Sequence, residues 1–157
     1  MAEAIRFVKN GISFRMPDKV LVRNWINKVA KKEGYQIESL DFIFCTDSFV
    51  HKLNKDFLNH DYLTDILTFN LNEGRDEKIS GEIYISIDRV RENSLIFKTT
   101  FTRELLRVII HGVLHLMGYD DKTKAKMTRM REQEDVCLKM FHVKHRVGVG
   151  IIRRKGD

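Results

Sequence analysis

The sequence predicts a single α+β domain: a small mixed β-sheet with helices on one side and a buried central helix that carries a histidine pair. Three observations lead there. Short β-branched and aromatic runs with the length of strands occur at Leu40–Cys45, Asp65–Asn70 and Gly81–Ile87. Segments with apolar residues three and four apart lie among them, in the order β, β, α, β, α, β, β, α, α, α, which mixes strands and helices without strict alternation. The stretch 102–117 is apolar around nearly its whole circumference, and a helix of that kind is buried.

One domain accommodates the chain. A domain near 157 residues hides roughly 70% of its unfolded surface and needs no disulfide or structural metal. Cys45 and Cys137 form no C-x-x-C pair. The first ten residues lack an apolar core of signal-peptide length, and the greasiest run, Leu105–Met117, is broken by Arg107 and two histidines. A cytoplasmic protein without a membrane span is expected.

Taken in order, Ile5, Phe7, Ile12 and Phe14 around Asn10-Gly11 read as a strand, a turn and a second short strand or extended segment. Asp18 caps a helix whose Leu21, Val22, Trp25, Ile26, Val29 and Ala30 form a core face, and Gly34 stops it. Leu40–Cys45 is a buried strand. Ser48 opens a second helix with Phe49, Leu53 and Phe57 along one side; Asn59-His60-Asp61 is a loop, and a strand returns at Asp65–Asn70. Thr64-Asp65 reads as a corner at that strand's start, with a supporting role near a site as the alternative. Leu71–Lys78 is a mobile loop. Gly81–Ile87 alternates cleanly, a helix runs from Asp88 to about Phe97, and the central helix spans 102–117. A last helix, 124–141, is mostly polar and docks through Met127, Met130, Cys137, Met140 and Phe141. The domain therefore occupies residues 1–141. The remainder, 142–157, is a basic, flexible tail carrying +4 of the net +6. It is either a solubilising end or a sequence-independent grip on a polyanion such as RNA.

The chemistry concentrates in His111-Gly112-Val113-Leu114-His115-Leu116-Met117-Gly118-Tyr119-Asp120-Asp121. Side chains four apart on a helix are stacked neighbours, so His111 and His115 form a two-imidazole claw. Gly118 supplies the left-handed residue that ends a helix, letting Asp121 fold back as a third ligand. Three protein ligands leave one position open, the mark of a catalytic zinc, whose water ionises near pH ~7. H-E-x-x-H peptidases place a glutamate base after the first histidine. Gly112 stands there instead, which disfavours peptide hydrolysis and favours a phosphodiester.

The same segment resembles the YbeY group of bacterial rRNA maturation factors, which are zinc-dependent endoribonucleases. The pattern H-G-x-L-H-L-x-G-Y-D-H is met from His111 to Asp120; Leu53-Asn54 with Thr64-Asp65-Ile66-Leu67-Thr68-Phe69, and Gly81-Glu82-Ile83-Tyr84-Ile85-Ser86, supply two further motifs. The resemblance implies cleavage of single-stranded RNA, processing near the 3′ end of small-subunit rRNA, and work on the ribosome or its small subunit. Two positions depart from the pattern. Asp121 stands where the group has histidine; its added charge makes the site more tolerant of harder metals such as Mn2+ beside Zn2+. Leu58 stands where the group commonly shows arginine, so another cation must hold phosphate, with Lys55, Arg103, Arg107 and Lys122 as candidates. Asp120 is the candidate general base or outer partner of a ligand, a turn-forming aspartate being the alternative. Two other functions compete: a ribosome-associated assembly factor with a structural or vestigial metal, and a zinc peptidase.

Overall fold

Ile5–Lys9 (β1), Gln36–Cys45 (β2), Lys78–Ser86 (β4) and Ile66–Asn70 (β3) lie side by side in that order. The computed structural model describes residues 3–60, 63–72 and 77–149. β1, β2 and β4 run parallel, with Phe7 opposite Phe42 and Phe42 opposite Ile83. β3 runs antiparallel to β4, with Ile66 opposite Ile85. Parallel neighbours need a crossover, and Lys19–Lys32 (α1) supplies the one between β1 and β2. The helix has the predicted cap: the Asp18 carboxylate accepts from the Val20 and Leu21 N–H groups, and Gly34 takes φ +86°.

Of the strand or extended segment expected near Phe14, the strand does not form. Asn10 N–H donates to the Phe44 carbonyl, and residues 12–18 continue as irregular chain, with Ile12, Phe14 and Met16 packed on the core. Side-chain burial holds that segment, with the Arg91 guanidinium donating to the Ser13 carbonyl at 2.7 Å and the Lys9 ammonium to the Phe14 carbonyl at 2.8 Å. Helix Asp47–Leu58 (α2) is capped by Thr46, two residues before Ser48. Its buried residues are Val50 and Asn54, whereas Phe49 and Phe57 are exposed at 38% and 69%.

One face of the sheet carries the main core. Leu40, Phe42, Phe44, Ile79, Ile83 and Ile85 point to it, because alternate residues of a strand share a face. Helices α1, Ile87–Ile96 (α3), Phe101–Leu116 (α4) and Lys124–Val149 (α5) cover them with side chains such as Trp25, Val90, Ile109 and Leu138. The opposite face carries a smaller cluster of Cys45, Val50 and Leu67, flanked by Ile43, Leu53, Phe69 and Tyr84, and α2 closes it at the β3–β4 end.

Helix α4 lies against the sheet at two glycines. A Cβ on Gly112 would stand 2.9 Å from Ile83 Cδ1 and 3.0 Å from Ile66 Cδ1; a Cβ on Gly81 would stand 2.7 Å from the Phe69 carbonyl oxygen and 3.1 Å from Leu116 Cδ1. Helix α5 docks by Met130, Cys137 and Leu138; Met127, expected to dock, is 56% exposed. The Trp25 indole N–H donates to the Cys137 carbonyl at 2.8 Å and ties α1 to α5. Backbone helix continues past Phe141 to Val149, into the stretch expected to be flexible, and 150–157 lies outside the described residues. So does the middle of the loop expected to be mobile, 73–76. Among the described residues no helix is long and apolar enough to cross a membrane.

Candidate metal centre

Thr100 caps α4 by accepting from the Arg103 N–H, and the helix stops in a Schellman motif. Gly118 takes φ +99°, its N–H donates to the His115 carbonyl, and the Tyr119 N–H donates to the Leu114 carbonyl, both at 3.0 Å. That turn brings the next residues back over the last turn of α4. The two imidazoles face each other with Nε2 atoms 3.1 Å apart, and Asp121 Oδ2 stands 3.6 Å from His111 Nε2 and 3.7 Å from His115 Nε2. These three atoms form one triangle of donors. Zinc bonds of ~2.0–2.1 Å in a tetrahedron place donors about 3.3 Å apart. The two imidazole nitrogens and one carboxylate therefore fit a divalent cation, and Asp121 is the exposed member of the three.

The other nitrogen of His111 is committed. His111 Nδ1–H donates to Glu134 Oε2 at 2.6 Å; a carboxylate has no proton to offer, so the proton lies on Nδ1 and the Nε2 lone pair faces the triangle. Glu134 is in turn held by Arg107, whose Nη1 is 2.6 Å from Glu134 Oε1 and whose Nη2 is 2.6 Å from Asp135 Oδ1. Burial acts to raise the Glu134 carboxyl, but His111 and Arg107 outweigh it and hold it below the usual glutamate range. Burial likewise pulls His111 down, while the hydrogen bond and charge of Glu134, with Asp65 and Asp121, carry it above the ordinary histidine value. His115 moves the opposite way, lowered by burial and by His111. The two rings thus differ in basicity despite equal spacing on one helix.

A cavity of about 270 Å³ opens beside the triangle, lined by Asp65, Asn93, Phe97, Glu104, Arg107, Val108, His111, Asp121, Arg131 and Glu134. The sheet sets one wall. The Ser86 N–H donates to the Asp65 carbonyl at 2.9 Å, which pins the residue before β3 at the end of β4. Burial raises the Asp65 carboxyl, with His111 opposing it, and burial followed by the charge of Asp65 raises that of Glu104. Asp65 therefore stands at the site as well as at the strand's corner.

The predicted site residues separate into four groups. His111, His115 and Asp121 come together. Arg107 is beside them, but its guanidinium is spent on two carboxylates, because α4 and α5 pack with Glu134 and Asp135 facing it; it is no open phosphate grip. Asp120 faces elsewhere: its Oδ1 accepts from the Lys122 N–H at 3.0 Å, its Oδ2 is 3.3 Å from Lys126 Nζ, and it lines a neighbouring cavity with Tyr35 and Arg129. The Lys122 N–H holds this carboxyl below the usual range, so it closes a turn as a settled anion, and the turn-forming alternative describes it. Lys55 and Lys122 are exposed, Arg103 is half-buried on the first turn of α4, and none of the three lines the cavity. Leu58 ends α2, 39% exposed. Glu134, Glu104 and Arg131 were absent from the expected set. One signal pointed to Glu134: it lies four residues after Met130 and four before Leu138, a charge inside the apolar stripe of α5.

Gly112 gains a second meaning here. It faces Ile83 and Ile66 in the sheet rather than the donor triangle, so a glutamate at this position would collide with the core. The peptidase arrangement is closed to this helix on packing grounds.

The family described as Endoribonuclease YbeY matches residues 9–142. An Endoribonuclease YbeY of Cytophaga hutchinsonii is 45% identical over 138 residues, covering 88% of this chain and 96% of that one. That of Amoebophilus asiaticus is 43% identical over 85% of this chain and 90% of its own. Among solved structures, the solution structure of a Thermotoga maritima protein superposes with a TM-score of 0.63 at 29% identity, covering 98% of this chain and 99% of that one. With the family match running from the end of β1 into α5, and the donor triangle in place at the end of α4 and in the turn after it, this chain belongs to the YbeY endoribonuclease family.

Proposed function

We propose that this protein is a metal-dependent endoribonuclease that cleaves single-stranded RNA, acting on small-subunit rRNA near its 3′ end in association with the ribosome. The observation that carries the proposal is the convergence of His111 Nε2, His115 Nε2 and Asp121 Oδ2 in one triangle of donors, beside a cavity that His111 and Asp121 line, in a YbeY-family fold. A divalent cation supplies Lewis-acid polarisation of a phosphoryl oxygen and a nucleophile at neutral pH. The chain's own residues do the rest. His111 and His115 bind the cation through Nε2, Asp121 lends a negative charge on the solvent side, and Glu134 fixes the direction and tautomer of His111. Zinc suits this mixed nitrogen and oxygen set, and the carboxylate extends tolerance to manganese. Lys55 and Lys122 are exposed candidates for the RNA backbone away from the cavity.

Incubating the metal-loaded protein with single-stranded rRNA fragments, and separately with casein, tests the proposal alongside His111→Ala. RNA cleavage that disappears in His111→Ala is expected, with casein intact. Cleavage unchanged by His111→Ala would defeat the proposal, and co-sedimentation with ribosomes without any cleavage would favour an assembly factor in its place.

A further inference from the structure

Two arginines line the cavity, and they have different obligations. The Arg107 guanidinium meets Glu134 and Asp135 at 2.6 Å each, so its charge is matched twice before any substrate arrives. Arg131 lies on α5 three residues before Glu134, which places both on one helix face. It is exposed, and among the described residues it forms no ion pair.

The remaining charged wall is acidic. Asp65, Glu104, Asp121 and Glu134 all contribute carboxyls to the space a phosphodiester would enter. A metal at the triangle offsets part of that field, but it holds the phosphate at one point only. Binding an anion among carboxylates needs a second cationic donor at the mouth, and a guanidinium presents two parallel N–H groups to phosphate oxygens. Among the described residues, Arg131 alone combines that chemistry, exposure and a place on the cavity wall.

We infer that Arg131 is the phosphate-binding residue of this site, gripping the backbone of a single-stranded RNA whose phosphodiester reaches His111, His115 and Asp121. The inference rests on the RNA-cleaving function proposed above. Arg107 is a positioning residue in this division, acting on His111 through Glu134.

The test uses the zinc-loaded full chain and a fluorescent single-stranded RNA oligonucleotide, with kcat and KM measured over a range of salt concentrations. Arg131→Gln is expected to raise KM roughly tenfold or more, the scale of one charge-assisted hydrogen bond. The slope of log(1/KM) against log salt should fall by about 0.7, the value for a protein that neutralises one phosphate fewer on a single strand. Zinc content and melting temperature should stay at wild-type values. Arg131→Lys should recover the slope and only part of KM, whereas Arg107→Gln should lower zinc affinity and leave the slope alone. A wild-type slope and KM in Arg131→Gln, or loss of zinc from it, would overturn the inference while RNA cleavage by the wild type stands. Failure of the zinc-loaded wild type to cleave any RNA would instead overturn the parent function, and this inference with it.

Discussion

A carboxylate 5% exposed on a helix face shared with Met130, Cys137 and Leu138 has to be matched, and Glu134 is matched by both His111 and Arg107. Its effect should appear first in metal affinity. Removing the outer partner of a ligating histidine typically costs 10–100-fold, so Glu134→Ala is expected to weaken zinc binding by about that factor in a chelator-competition titration. Glu134→Gln should weaken it less, since the amide oxygen still accepts from Nδ1–H. Nitrogen chemical shifts of His111 supply the independent check: the Nδ1–H tautomer should dominate in the wild type and mix with the other in Glu134→Ala. The donor triangle itself was legible in sequence because a helix and its stop fix His111, His115 and Asp121 locally, at spacings of four and six. The pairing of Glu134 with His111 and Arg107 was not, because these partners lie 23 and 27 residues away on another helix and depend on how α4 and α5 rotate against each other.

At the scale of elements, the height of α4 above the sheet is set where Gly112 and Gly81 remove side chains. A methyl on Gly81 meets backbone, the Phe69 carbonyl, so β3 would have to part from β4. Overpacking of this kind costs about 1–3 kcal/mol, and Gly81→Ala should show that loss in denaturant unfolding. Gly112→Ala meets side-chain atoms of Ile83 and Ile66 but no backbone, and gains up to ~1 kcal/mol of helix propensity, so it should cost less than Gly81→Ala. Gly112 was legible as an absent base, but its packing role was not, because that needs the register of α4 on Ile83. The strands and helices were legible from their periodicity. The exception is the segment after Asn10, where apolar residues in an extended chain look like a strand whether or not an edge is free to pair with them.

Across the whole molecule, the acidic cavity has a measurable cost. Burial holds the Glu104 carboxyl above its ordinary value of 4.5, so the folded state retains a proton that the unfolded state releases. Below the unfolded value both states are protonated and no penalty exists; as pH rises through the folded value the penalty grows to its full size. Glu104→Gln, with no proton to lose, should match the wild type in thermal midpoint at acidic pH and exceed it at neutral pH. Midpoints that differ equally at both pH values would contradict this origin. Composition could report the net charge of +6, but not that four carboxyls share one cavity.

The donor triangle also has a mechanical consequence. Its atoms come from the last turns of α4 and from the connector leading to α5, and Glu134 extends the same chain of bonds into α5. A cation seated there is a clasp between two helices, so α5 cannot swing away without releasing it. A ligand that binds only the closed form stabilises it by about 2.7 kcal/mol at a hundredfold excess over its dissociation constant. Backbone amides of 124–141 should therefore exchange with deuterium much more slowly in zinc than in a chelator. Those of α2, seated on the other face of the sheet, should exchange at the same rate in both.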